Sequence, residues 1–231
     1  MTEPYKLNND AAMCIRVGDY DNAISSLQRA VKKVRLAICG DLTPDLYLED
    51  VVTCVDDDRP FCSFLSTTDS SNFLKSVNSQ HTIFRSPIFL SQPLPVTNSL
   101  CCEKLSYVIV YNLALSHHLK AMTSQLSKRM TFITFERALR LYENAHCVLM
   151  GSPEIDVSIL HTLSIVCNLG HLHGVLGNKE RSDLCYQNLL STMIYLVDCG
   201  EVDTIEGTLP LDGFFSNVMP LICNMPSAPA A

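Results

Sequence analysis

The chain has 231 residues, 47% apolar and 18% charged, with a formal net charge of −7, enough apolar content to bury one core without a metal or disulfide to hold it. The acidic balance disfavours nucleic acid as a ligand, and no membrane span is expected, because Val108–Leu115 is broken by Asn112 and Leu189–Val197 by Ser191 and Thr192, well short of the roughly 20 apolar residues a bilayer demands. Eleven cysteines, an odd count with no CxxC pair, predict free thiols in a reducing compartment rather than a disulfide frame.

The opening MTEPYKLNND has neither a basic leader nor an apolar h-region, which predicts an intracellular chain, cytoplasmic or nuclear. A first helix pair is predicted at 4–17 and 20–37, within a first element of residues 1–40. In KLNNDAAMCIRVGDYDNAISSLQRAV, Gly18, Ala23, Leu27 and Ala30 follow Ala11 at intervals of 7, 12, 16 and 19. Gly18 stands where the first helix must stop, as a residue entering the left-handed region does. Arg29, Lys32, Lys33 and Arg35 form a basic helix end that suits the negative pole of its dipole.

Residues 41–104 interrupt this pattern. Seven acids against Arg59 within 41–60, including Asp56, Asp57 and Asp58, lack the alternation and distal glutamate of a calcium loop and are read as a solvated acidic loop. PFCSFLS and HTIFRSPIFLS are short apolar runs able to pair as a β-ribbon, Pro87 confining the second to an edge. STTDSS, from Ser66 to Ser71, reads as a linker.

Two further helix pairs are predicted within 105–200, at 106–121 with 132–149 and at 158–176 with 179–197. Gly177, Ser182, Tyr186 and Leu189 follow Gly170 at 7, 12, 16 and 19, the intervals of the first copy. Ala138, Tyr142 and Ala145 follow Ala114 at 24, 28 and 31, a constant excess of 12 that predicts one insertion between the two helices, around Thr123–Thr131. Small residues at Ala11, Ala114, Gly170, Ala23, Ala138 and Ser182 suit close helix crossings, and Leu27, Tyr142 and Tyr186 one turn on supply the knobs. A terminal capping helix is predicted within 201–224 from Leu211, Phe214, Phe215 and Val218, ended or kinked at Pro220. A disordered tail is predicted at 225–231.

The patterns N-L-A-x-x-H, N-L-G-x-x-H and G-D-Y-x-x-A-I-x-x-L-x-x-A resemble the tetratricopeptide repeat, most closely divergent uncharacterised members of that class in unicellular algae. The chain departs from the consensus: it has no tryptophan, His117 and His173 take the usual aromatic place, and no proline closes a repeat. The resemblance implies an all-α solenoid of three antiparallel helix pairs, with the insertion after the first pair. It also implies a concave groove lined by the first helices, for which Tyr5, Asn8, Arg16, Tyr111, Leu115, His118, Ser164 and His171 are the candidates. Tyr111 and His118, seven residues apart, share a face offset from the Ala114 and His117 stripe expected to pack inward.

Chemistry is sparse. Cys167, His171 and His173 could be drawn as a metal site or a thiol–base pair, but His173 and His117 occupy packing positions, and no metal or cofactor is expected. No G-x-S-x-G, Walker, G-x-G-x-x-G or H-E-x-x-H motif occurs, so the chain is read as a non-catalytic adaptor binding a peptide or helix of another protein. Lysines and asparagines are too few in matching places for a carboxylate clamp on a chaperone tail. Self-association as a structural subunit is the alternative, and a metal- or thiol-dependent sensor the remaining one.

Overall fold

The computed structural model describes residues 3–39, 82–91, 99–151, 159–199 and 212–223. These residues form seven α-helices and no strand. The helices are α1 (Pro4–Val17), α2 (Tyr20–Cys39), α3 (Ser99–Thr123), α4 (Lys128–Gly151), α5 (Ile159–Val175), α6 (Lys179–Asp198) and α7 (Asp212–Cys223). The acidic stretch, PFCSFLS, STTDSS and the C-terminal tail lie outside the described residues. The chain divides into two compact units. Unit one holds α1 to α4 with residues 85–91, and unit two holds α5 to α7 with residues 82–84.

In unit one, α1 ends at Gly18, whose φ of 83° lies in the left-handed region that costs glycine least. The Gly18 N–H donates to the Ile15 carbonyl and the Asp19 N–H to that of Cys14, which satisfies carbonyls the helix leaves open. The tight turn brings α2 back onto α1, with Ala11, Ala12, Ala23, Leu27 and Ala30 buried. On its other side α2 packs against α3, and α3 against α4. Ala114, Ala138, Tyr142 and Ala145 are fully buried.

The insertion expected around 123–131, the constant excess of 12 in this pair, is mostly helix rather than loop. Residues 124–127 separate α3 from α4, against 18–19 in the first pair, and most of the excess is helix: α3 runs nine residues past Ala114 where α1 runs six past Ala11, and α4 starts ten residues before Ala138 where α2 starts three before Ala23. Added helical turns keep the repeat positions in phase, because two turns take about seven residues.

In unit two, α5 gives way to Gly177, with φ of 84°. The Gly177 N–H bonds the Gly174 carbonyl and the Asn178 N–H that of His173, the same arrangement that closes α1. The α5/α6 crossing is tight at Gly170, where an added Cβ would lie 2.9 Å from the Tyr186 ring. The Ser182 hydroxyl donates to the Gly170 carbonyl at 2.8 Å. The core gathers Leu163, Cys167, Tyr186, Leu189, Met193 and Leu196 with Phe214 and Val218 of α7.

Helix α7 does not end at Pro220 but continues to Cys223. The carbonyl that Pro220 leaves without its i−4 donor belongs to Ser216, an exposed residue, where water can replace the missing N–H. Phe215, expected to pack, is 39% exposed, since only the Phe214/Val218 face of α7 meets α5 and α6.

Candidate functional site

A buried asparagine inside a helix needs a partner other than its own helix, whose backbone groups are already paired. Three asparagines stand two residues before the small residue of their repeat: Asn9 before Ala11, Asn112 before Ala114, and Asn168 before Gly170. Each turns its carboxamide to the main chain of the segment around Pro87, within its own unit.

In unit one, Asn112 accepts the Ile88 N–H at 2.9 Å and donates to the Ile88 carbonyl at 2.8 Å. Asn9 repeats this on Leu90, accepting its N–H at 2.9 Å and donating to its carbonyl at 2.8 Å. Asn8 ties the two together: it donates to the Ile88 carbonyl at 3.2 Å and to the Asn9 side-chain oxygen at 3.2 Å, and accepts from Asn112 at 2.8 Å. Asn8 and Asn112 are fully buried.

Unit two repeats the device. Asn168 accepts the Phe84 N–H at 2.9 Å and donates to its carbonyl at 3.0 Å. Asn217 of α7 does the same to Thr82, both at 2.6 Å, and also donates to the Cys167 sulfur at 3.0 Å. The Cys167 thiol donates to the Thr82 carbonyl at 3.3 Å, and Phe84 stacks on Phe214 with centroids 5.7 Å apart.

A carboxamide offers one acceptor and one donor side by side, as a neighbouring strand offers a carbonyl and an N–H. A residue that gives both its N–H and its carbonyl to one such group presents them on the same side, as a hydrogen-bonded strand residue does. Residues 82–91, expected as one arm of a β-ribbon, form no strand. Their edge pairs with asparagine side chains instead.

The sequence-derived candidates separate into distinct groups. Asn8 sits in the clamp, and Arg16 lies over the Phe89 ring, 5.9 Å from its centroid. Arg16 also lines a cavity of ≈ 560 Å³ in unit one with Ile15, Tyr20, Arg85, Ser86, Pro87, Phe89 and Leu119. Tyr5 is partly buried on α1 with Lys6 near its ring. Tyr111, Leu115, His118, Ser164 and His171 are buried within the helix packing, not on an open face. Tyr111 packs edge-on to Tyr142, and His118 edge-on to Phe135 and Tyr142. From Tyr107 to Leu119 every residue of α3 is buried, so a seven-residue spacing there selects a core stripe. Asn9, Asn112, Asn168 and Asn217 are not among the groove candidates, although Asn112 and Asn168 open the two N-L motifs. The signal for the first three was available in the asparagine that precedes each small residue.

Burial also sets the titration of the remaining groups. Desolvation pushes the Cys167 thiol up to about 12, against the opposing pull of its bonds with Asn217 and the Phe84 backbone, so Cys167 acts as a thiol donor. His117 is pushed down to about 3, first by burial and then by Arg137 and Lys120. His173 is lowered by burial and by Arg181. Among the described residues no group of three His, Cys, Asp or Glu converges on one point, the cysteines form no disulfide with one another, and no helix is long and apolar enough to cross a membrane.

Comparison with protein-family models, curated proteins and solved structures finds no match.

Proposed function

We propose that the chain is a protein-interaction adaptor built of tetratricopeptide-like helix pairs, whose first helices hold an extended peptide by its main chain. The observation that carries this reading is the pairing of Asn112 with both the N–H and the carbonyl of Ile88, repeated by Asn9 on Leu90 and Asn168 on Phe84. Side chains arranged to complement a strand edge supply affinity through the main chain, while neighbouring pockets select side chains, as in peptide recognition by strand addition. This favours an extended peptide over a helix as the partner's contact, because a helix spends its own N–H and carbonyl groups internally.

Selection of random displayed peptides tests the reading, using the full chain with Ile88→Pro and Leu90→Pro so that its own segment cannot donate to Asn112 and Asn9. The chain should enrich extended apolar sequences and lose them when Asn9→Ala and Asn112→Ala are added with helical content retained. No enrichment on a folded chain contradicts the proposal.

A further inference from the structure

We infer that the Asn8, Asn9 and Asn112 clamp of unit one receives a strand-like peptide of another protein, apolar at the place of Ile88, without proline at the places of Ile88 and Leu90, and acidic at the place of Ser86, which enters by displacing the chain's own Ser86–Leu90. This rests on the peptide-binding reading and names its ligand.

Every bond from the clamp to the segment goes to a main-chain group of Ile88 or Leu90, so the clamp itself excludes only residues without an N–H at those two places. Ile88 is 9% exposed, which asks for an apolar side chain there. Phe89 is 41% exposed and leans on the Arg16 guanidinium.

The cavity of ≈ 560 Å³ beside the segment is in the range that holds a small ligand or several side chains, yet from the segment's Ser86 it receives only a hydroxymethyl group. Its helix-borne wall is Ile15, Arg16, Tyr20 and Leu119, and no acidic residue lines it. A glutamate in place of Ser86 would carry a carboxylate toward Arg16, a planar donor suited to it. A second copy of this chain brings the same Ser86 and gains nothing over the tethered segment, which acts at an effective concentration on the order of millimolar. Only a peptide that fills the cavity better has an advantage, which points to a different protein.

The test uses fluorescent peptides of residues 85–91, with Ser86 kept or with Ser86→Glu. They are titrated into three full-length chains: the parent, Ile88→Pro/Leu90→Pro, and that variant with Asn9→Ala/Asn112→Ala. The proline variant should bind either peptide about tenfold or more tightly than the parent, because the tethered competitor is gone. The glutamate peptide should bind about threefold more tightly than the serine peptide, the scale of one partly exposed ion pair. The alanine changes should abolish both. In parallel, the parent carrying 4-fluorophenylalanine at position 89 should show its fluorine signal move saturably as the glutamate peptide is added, a readout that decides the matter even where the proline variant does not fold.

Equal affinity of parent and proline variant with an unmoved fluorine signal overturns displacement while leaving peptide binding intact. Failure of a folded proline variant to bind either peptide overturns both. A fluorine shift that instead follows the chain's own concentration, with a dimer in sedimentation, assigns the site to a second copy and overturns the inference.

Discussion

A single asparagine carboxamide replaces a strand edge at each clamped residue, and the consequences for stability follow from what its loss leaves behind. Asn112→Ala strips the partners from the Ile88 N–H and from the Asn8 side-chain oxygen and leaves the Ile88 carbonyl with the weaker bond from Asn8 alone. Buried groups deprived of a partner cost about 1–3 kcal/mol each. Asn112→Ala should therefore lower unfolding free energy by about 2–4 kcal/mol in denaturant melts, and an unchanged midpoint would contradict the clamp. Asn22→Ala, which loses only an exposed side-chain bond to Asp19, should stay within about 0.5 kcal/mol. His117 supplies a pH signature. Its folded value is lowered to about 3 against an ordinary value near 6.5. Between these the unfolded chain binds a proton that the folded chain does not, so stability is full above about pH 6.5 and falls as pH drops toward 3. The burial of His146 and His173 acts in the same direction. Melts of the His117→Phe variant should show a shallower acid slope than the parent; an identical slope would remove His117 as a cause. The asparagine register was legible in the sequence, as two residues before each small residue. Its partner was not, because a hydrogen bond between Asn112 and Ile88 spans 24 residues and leaves no periodic trace.

At the scale of helices, crossings at small residues make the sharpest predictions. Gly170→Ala places a Cβ 2.9 Å from the Tyr186 ring and should destabilise by about 1–3 kcal/mol through overpacking. Gly151→Ala meets nothing within 4 Å at the end of α4 and should be neutral or gain up to about 1 kcal/mol. If thermal melts rank the two the other way, the crossing is misassigned. Ala23→Leu and Ala145→Leu, at fully buried positions, should each cost about 1–3 kcal/mol on the same ground. Helix ends were readable where a glycine marks them, as at Gly18 and Gly177. The excess of 12 in the second pair points to an insertion but not to its form, because spacing alone does not distinguish whole added turns from an inserted linker. The shared face of Tyr111 and His118 does not mark a binding surface, because a helix buried on every side from 107 to 119 has no amphipathic stripe by which to tell one face from another. Truncation of both should unfold unit one rather than spare it, with a cost of at least about 3 kcal/mol for the tyrosine.

Across the whole molecule, each unit closes on its own piece of one short segment, Thr82 and Phe84 in unit two and Ile88 and Leu90 in unit one. The composition of HTIFRSPIFLS points to an extended run, and Thr82, Phe84, Ile88 and Leu90 each give their N–H and carbonyl to one carboxamide as strand residues do, but β-strand logic supplies another strand as the partner where the fold supplies asparagines. The interval rule of the repeats places Asn9, Asn112 and Asn168 in register, and Asn217 lies on α7, outside that rule. The central claim, that these carboxamides hold the main chain of the segment, is most directly tested by residue-resolved amide hydrogen exchange. The N–H groups of Thr82, Phe84, Ile88 and Leu90 should exchange at least about a hundredfold more slowly than those of Ile83 and Phe89, which an extended chain turns to the opposite side. Uniformly fast exchange from 82 to 90, or uniform protection across it, would contradict the account.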